Sequence, residues 1–113
     1  MNVDALFGEM TLQTRTLEKE LRQMAEECAE LTQASLKYIR TDEESYVKYE
    51  KALANLAEEI GDVENVIAGV KALMSVKHPD FQKTIDEGRE FKARRWTARA
   101  IEDGAKIDID KYL

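Results

Sequence analysis

Residues 46–74 read YVKYEKALANLAEEIGDVENVIAGVKALM, and apolar side chains recur along them at alternating steps of three and four. The regularly spaced positions are Tyr46, Tyr49, Leu53, Leu56, Ile60, Val63, Ile67, Val70 and Met74. A heptad-like repeat of this length is typical of a long α-helix packed in a bundle. We expect this helix to end before Pro79, because the residue that precedes a proline avoids the helical region.

A second helix is predicted before it, from Leu17 to about Arg40. Its apolar stripe is Leu17, Leu21, Met24, Cys28, Leu31, Ser35 and Tyr38. Thr41 or Asp42 would cap the start of the following helix, with Glu43 and Glu44 favouring its positive end. Because so short a connection joins them, we expect the two helices to be antiparallel neighbours.

The rest of the chain completes a single all-α domain over residues 1–113. Residues 1–16 form an N-terminal segment with a short helix or turn around Gly8, 17–103 the helical core, and 104–113 a tail that is extended or frayed. A helix after Pro79 ends near Glu102, with Asp80 as its cap and Gly104 as its stop. These helices predict a bundle with a four-helix-bundle-like core. Oligomerisation would complete it, because 113 residues cannot cover so much apolar surface.

Composition excludes several classes of function. The formal net charge of −6 argues against binding a nucleic-acid polymer, which needs a basic face. Cys28 is the only cysteine, so neither an internal disulfide nor a zinc framework is possible, and a reducing, cytoplasmic setting follows as the default. We also expect no signal peptide and no membrane span, since no apolar run approaches about 20 residues.

Two short acidic motifs lie on the two predicted long helices. The first is Glu26-Glu27-x-x-Glu30 and the second is Glu59-x-x-Asp62. Residues three apart are neighbours on a helix surface, so antiparallel helices could gather these carboxylates around a hard cation such as Mg²⁺. The alternatives are solvated helix faces or salt bridges between helices, because 23 acidic residues produce such pairs by chance, as at Glu87 and Glu90.

A glycine lies inside the second acidic motif. Gly61 in mid-helix costs about 1 kcal/mol relative to alanine. We attribute it to a close approach of the two helices beside the acidic residues.

The strings EECAEL (26–31) and EEIGDV (58–63) resemble the paired signature of the MazG-like, all-alpha nucleoside triphosphate pyrophosphohydrolases, and the similarity runs from about Met24 to Gly69. The resemblance implies that Mg²⁺, or Mn²⁺ in its place, is bound by Glu27, Glu30, Glu59 and Asp62. It also implies Glu26 and Glu27 as catalytic groups, with Glu26 binding a second ion or orienting the water. Family members work as dimers or tetramers, so we expect a homodimer or homotetramer.

Several other side chains suit a phosphate-handling site. Lys37 follows Glu30 by seven residues and emerges on the same helix face, although a plain surface lysine has the same pattern. The resemblance assigns Asn65 to the sugar or base, against a satisfied interhelical amide. It also places a basic cluster on the last core helix, where Lys92, Arg95 and Arg99 share one face. Salt bridges to Glu87, Glu90 or the acidic helices are the competing interpretation.

The function predicted from these residues and the resemblance is Mg²⁺-dependent cleavage of a nucleoside triphosphate to the monophosphate and pyrophosphate, for house-cleaning or control of the dNTP pool. The alternative is a non-catalytic helical interaction module whose acidic face is merely solvated. A di-iron bundle is excluded, because it needs Glu-x-x-His pairs and the only histidine, His78, precedes a proline.

Overall fold

The computed structural model describes residues 1–41 and 46–113, without the side chain of Tyr46. Its helices are α1 (Val3–Thr14), α2 (Leu17–Arg40), α3 (Tyr46–Lys77) and α4 (Phe81–Glu102), followed by a short 3₁₀ helix, Ile109–Tyr112. The described ranges contain no β-strand, so the all-α prediction is confirmed. The chain forms two compact units, Met1–His78 and Pro79–Leu113. The proposed cap at Asp42 and the first-turn residues Glu43 and Glu44 lie outside the described residues.

In the N-terminal unit, α2 and α3 form an antiparallel hairpin. The Tyr38 hydroxyl near the end of α2 lies 3.0 Å from the Tyr49 hydroxyl near the start of α3. Farther along, Glu27 and Glu30 of α2 meet Glu59 of α3. Residue numbers therefore rise on one helix as they fall on the other, and facing residues have numbers that sum to about 88. This register places the side chains of α2 and α3 relative to one another.

Of the two alternatives predicted around Gly8, the N-terminal segment forms the helix, and this helix extends to Thr14. α1 packs against the C-terminal part of α3, where a Cβ built on Gly8 would lie 3.4 Å from the Cβ of Ala72. α1 then ends at its C-cap residue Arg15, whose backbone is extended. The side chain of Thr16 accepts a hydrogen bond from the backbone N–H of Lys19 at 3.3 Å and so caps the start of α2.

The face of α2 that meets α3 keeps four positions of the predicted stripe, but its other three positions lie one residue earlier, so the face is rotated by less than one residue. The best-covered positions of α2 at this spacing are Leu17, Glu20, Met24, Glu27, Leu31, Ala34 and Tyr38. Those of α3 are Tyr49, Ala52, Leu56, Glu59, Val63, Val66 and Val70. We call these two sets the seam. Ala34 and Ala52 are each only 3% exposed and lie at the same level, where their small side chains let the helices approach.

The rotation leaves large apolar side chains outside the seam. Leu21 is 39% exposed, Leu53 41% and Ile60 43%. Cys28, expected on the buried stripe, is also exposed. These four residues, which we call the apolar face, lie about 100–120° after Glu27 or Glu59 around their own helices, at 100° per residue. Because the helices are antiparallel, both pairs turn to the same side of the hairpin.

The C-terminal unit consists of α4 and the segment that follows it. Asp80 is the N-cap residue of α4, although its side chain makes no capping hydrogen bond. Gly104 terminates the helix as predicted, with a φ of 103° that favours glycine. Its N–H bonds the carbonyl of Ile101 at 3.0 Å, and the N–H of Ala105 bonds that of Ala100 at 2.9 Å, which is a Schellman motif.

The closest approach of helices at a glycine is at Gly69, not at Gly61 as expected. A Cβ on Gly69 would lie 2.5 Å from Oγ1 and 3.1 Å from Cγ2 of the buried Thr11, whereas one on Gly61 would meet nothing within 4 Å. We predict that Gly69→Ala lowers the free energy of unfolding by about 1–3 kcal/mol, because it overpacks the contact between α1 and α3. Urea denaturation would measure the change.

Gly61→Ala on the same helix is the matched control. It is expected to raise the free energy of unfolding by up to about 1 kcal/mol, through helix propensity alone. Equal effects of the two substitutions would contradict the packing of α1 on α3.

Candidate metal centre

Three of the four carboxylates predicted to bind metal are brought together by the seam. Glu27 and Glu30 lie one turn apart on α2, and Glu59 faces them from α3. One carboxylate oxygen from each lies within 4.8 Å of the other two. Oxygen atoms at this spacing can share one divalent cation, and carboxylate oxygens are the ligands that Mg²⁺ prefers.

Two oxygens of the cluster are buried and have no hydrogen-bond partner within the described part of the chain. They are Oε2 of Glu27 and Oε2 of Glu59. The other oxygen of Glu27, Oε1, accepts a hydrogen bond from Nε2 of Gln23 at 2.8 Å. A buried polar atom without a partner is costly, and a carboxylate oxygen is especially so. A cation between the two helices would satisfy both atoms, so the donor set fits a divalent metal.

The electrostatics of the cluster point the same way. The negative charges of Glu27 and, next, Glu59 raise the pKa of Glu30, and burial adds to the shift. Proximity of like charges disfavours the ionised form, and a bound cation would reverse that preference. The arrangement of the cluster therefore disfavours ionisation of Glu30.

Asp62 and Glu26 lie beside this cluster without belonging to it. Asp62 is half-buried one turn after Glu59, and Glu26 is exposed. With Glu30, Lys37, Lys51 and Glu58 they form what we call the polar face, whose members lie about 60–100° before Glu27 or Glu59 around their helices. Because the two helices are antiparallel, the residues of the polar face all lie on the side of the hairpin opposite the apolar face. The cluster thus opens through exposed Glu30 onto a polar surface.

Gln23 is a residue of the site that the sequence argument missed. It is half-buried and its amide fixes one carboxylate oxygen of Glu27. Its position four residues before Glu27 was an available signal, because such pairs are neighbours on a helix. Asn65, predicted to contact sugar or base, is half-buried and faces Gln23 in the register of the hairpin.

The predicted basic residues of the last helix belong to the C-terminal unit. Lys92, Arg95 and Arg99 are exposed on α4, and none forms a hydrogen bond or ion pair among residues 1–41 and 46–113. The acidic residues of α4 proposed as their partners pair elsewhere. Glu90 is 3.0 Å from Arg94, and Glu87 is 4.0 Å from Lys83. Lys92, Arg95 and Arg99 therefore remain available to an anionic ligand.

No protein-family model matches the sequence, and comparison with curated proteins and with solved structures finds no match either. Among the helices described, none combines the length and the apolar character needed to cross a membrane.

The pKa of Glu30 predicts how the metal-free protein responds to pH. A pKa raised in the folded state stabilises the fold below the ordinary glutamate pKa of about 4.3. That stabilisation is lost as the pH rises through the folded value. We expect the free energy of unfolding of the wild type, relative to Glu30→Gln, to fall over this range when a chelator is present. Urea denaturation at a series of pH values would test it, and curves that stay parallel would contradict it.

Proposed function

We propose that this protein is an Mg²⁺-dependent hydrolase that cleaves a nucleoside triphosphate between its α and β phosphates. The observation that carries the proposal is the cluster of Glu27, Glu30 and Glu59, with two buried carboxylate oxygens that lack a partner within the described residues. The resemblance of the two acidic motifs to the signature of the MazG-like pyrophosphohydrolases supports the same activity.

Mg²⁺ is the preferred ion, and Mn²⁺ would be its substitute. Magnesium dehydrates reluctantly and keeps several waters when a few carboxylates hold it. Three ligands from the protein would leave positions that phosphate oxygens can take. Asp62, one turn beyond Glu59, is the fourth ligand that the resemblance implies.

In the proposed reaction, one water molecule is added across the bond between the α phosphorus and its bridging oxygen. The hydroxyl joins the α phosphorus, the bridging bond breaks, and pyrophosphate leaves with the bond's electron pair. The bound ion would neutralise phosphate charge. Glu26, exposed on the polar face beside the cluster, would accept the proton of the water, and Glu27 would help to position it.

The basic and amide side chains complete the proposed binding site. Lys37 would contact the phosphates, and Asn65 the sugar or base. Lys92, Arg95 and Arg99, exposed on the C-terminal unit, are the residues that the resemblance implies for stabilising charge on the leaving pyrophosphate. House-cleaning of non-standard nucleotides, or trimming of the dNTP pool in the cytoplasm, is the use we propose.

The apolar face favours assembly, and it is also the observation behind the alternative function of an interaction module. Leu21, Leu53 and Ile60 are each about 40% exposed on one side of the hairpin. Two hairpins joined through this face would form a four-helix core, and two-fold symmetry is the commonest way to close such an assembly. We therefore propose at least a homodimer, with a homotetramer as the larger form.

The decisive experiment is a screen of canonical and modified nucleoside triphosphates with Mg²⁺. At least one should release pyrophosphate rather than orthophosphate. Glu59→Gln should reduce its turnover by at least about a hundredfold, a loss typical of removing one electrostatic contact to the transition state. Glu58→Gln is the matched control, because Glu58 is the exposed neighbour of Glu59 on α3 and lies outside the cluster. Orthophosphate as the sole product would refute the proposed reaction.

Light scattering at micromolar concentration tests the assembly. We expect a mass of at least twice 12.9 kDa, and Ile60→Gln should shift the protein towards the monomer by weakening the apolar face. Val76→Gln is the control on the same helix, since Val76 is exposed but lies on the other side of α3. A wild-type monomer with full activity would contradict the proposal.

A further inference from the structure

The polar face of the hairpin changes its charge along its length. The Tyr38–Tyr49 contact sets the register at the end of the hairpin where α2 leads into α3, and it places Lys37 of α2 opposite Lys51 of α3. The same register places Glu30 opposite Glu58 and Glu26 opposite Asp62. Carboxylates thus occupy the middle of the face, and two lysines stand together at one end of it.

The two lysines are not neutralised by their own helices. Residues three and four positions from Lys37 are Gln33, Ala34, Arg40 and Thr41, and those from Lys51 are Val47, Lys48, Ala54 and Asn55. None of these carries a carboxylate, in contrast to the i,i+4 pair of Lys83 and Glu87 on α4. Lys37 and Lys51 are both exposed, and neither is in an ion pair within the described ranges.

The stretch between the lysines and the metal-binding cluster suits an elongated anion. Lys37 lies seven residues from Glu30 and Lys51 eight from Glu59, which corresponds to about 10–12 Å along the helices. Gln33 and Asn55 face each other in the intervening layer of the register. They can donate hydrogen bonds without adding negative charge, so an anion lying there would meet its first like charges only at the cluster.

We propose that Lys37 and Lys51 together form an anion subsite that holds the far end of a polyphosphate chain whose near end lies at Glu27, Glu30 and Glu59. The inference rests on the proposed function and deepens it, because it assigns Lys51 to ligand binding and sets the direction of the phosphate chain along the hairpin. Lysine acts here as a mobile point charge on a flexible stem, which suits phosphates of variable position.

Inorganic tripolyphosphate with Mg²⁺ is the probe, and isothermal titration calorimetry is the measurement. Lys37→Gln and Lys51→Gln should each weaken binding of the probe by about tenfold or more, the usual effect of one charge-assisted hydrogen bond. Lys77→Gln is the matched control, because Lys77 is exposed at the opposite end of α3. Binding of Mn²⁺ alone should be unchanged in all three variants.

Two results would overturn the inference in different ways. If Lys37→Gln and Lys51→Gln bind tripolyphosphate as tightly as the wild type, while Mn²⁺ still binds, the subsite is wrong and the proposed function stands. If the wild type binds no Mn²⁺, the proposed function fails and the subsite fails with it. Thermal melting of each variant would verify that the fold is intact.

Discussion

The hairpin and the proposed metal centre both depend on carboxylates buried in the contact between two helices. The seam that joins α2 to α3 also carries Glu27 and Glu59, whose inner oxygens have no hydrogen-bond partner within the described part of the chain. Helix packing at Ala34 and Ala52 brings the backbones together, and the same approach brings negative charges together. Repulsion then raises the pKa of Glu30. A hairpin built in this way gains stability from any cation that enters the cluster.

The seam also separates two surfaces of the hairpin, one apolar and one charged. Residues about 100° after Glu27 or Glu59 around the helix are apolar and exposed, as Ile60 is, and residues about 60–100° before them are charged, as Glu30 and Lys37 are. Antiparallel pairing sends each set to its own side. In the proposed assembly a partner would cover the apolar face while the proposed ligand reaches the polar face, so the two would not compete for one surface.

Helix positions and the acidic cluster could be predicted from sequence, because both depend on local periodicity. The stop at Gly104 and the end of α3 before Pro79 follow from backbone chemistry that each residue carries with it. The rotation of the seam could not be predicted in this way. In α3, apolar residues occupy two adjacent stripes, and periodicity does not tell which stripe meets α2 and which stays exposed.

That ambiguity explains the errors over Cys28 and Gly61. Cys28 fits the apolar stripe, but the packed position is taken by its neighbour Glu27, because the alanines of the seam allow the closer approach. Gly61 has the spacing of a contact glycine, yet Gly69 is the one that lies against Thr11. Such choices depend on pairs of side chains from different helices, which a single helix pattern does not contain.

The most direct test is a crystal structure of the protein grown with Mn²⁺, in which anomalous scattering locates the metal. The account predicts an anomalous peak within coordination distance of Glu27, Glu30 and Glu59, with Oε2 of Glu27 and of Glu59 turned towards it. A lysine or arginine from another copy of the chain seated between these carboxylates, with no peak there, would contradict it. In that case the cluster would be a salt-bridged interface rather than a metal centre.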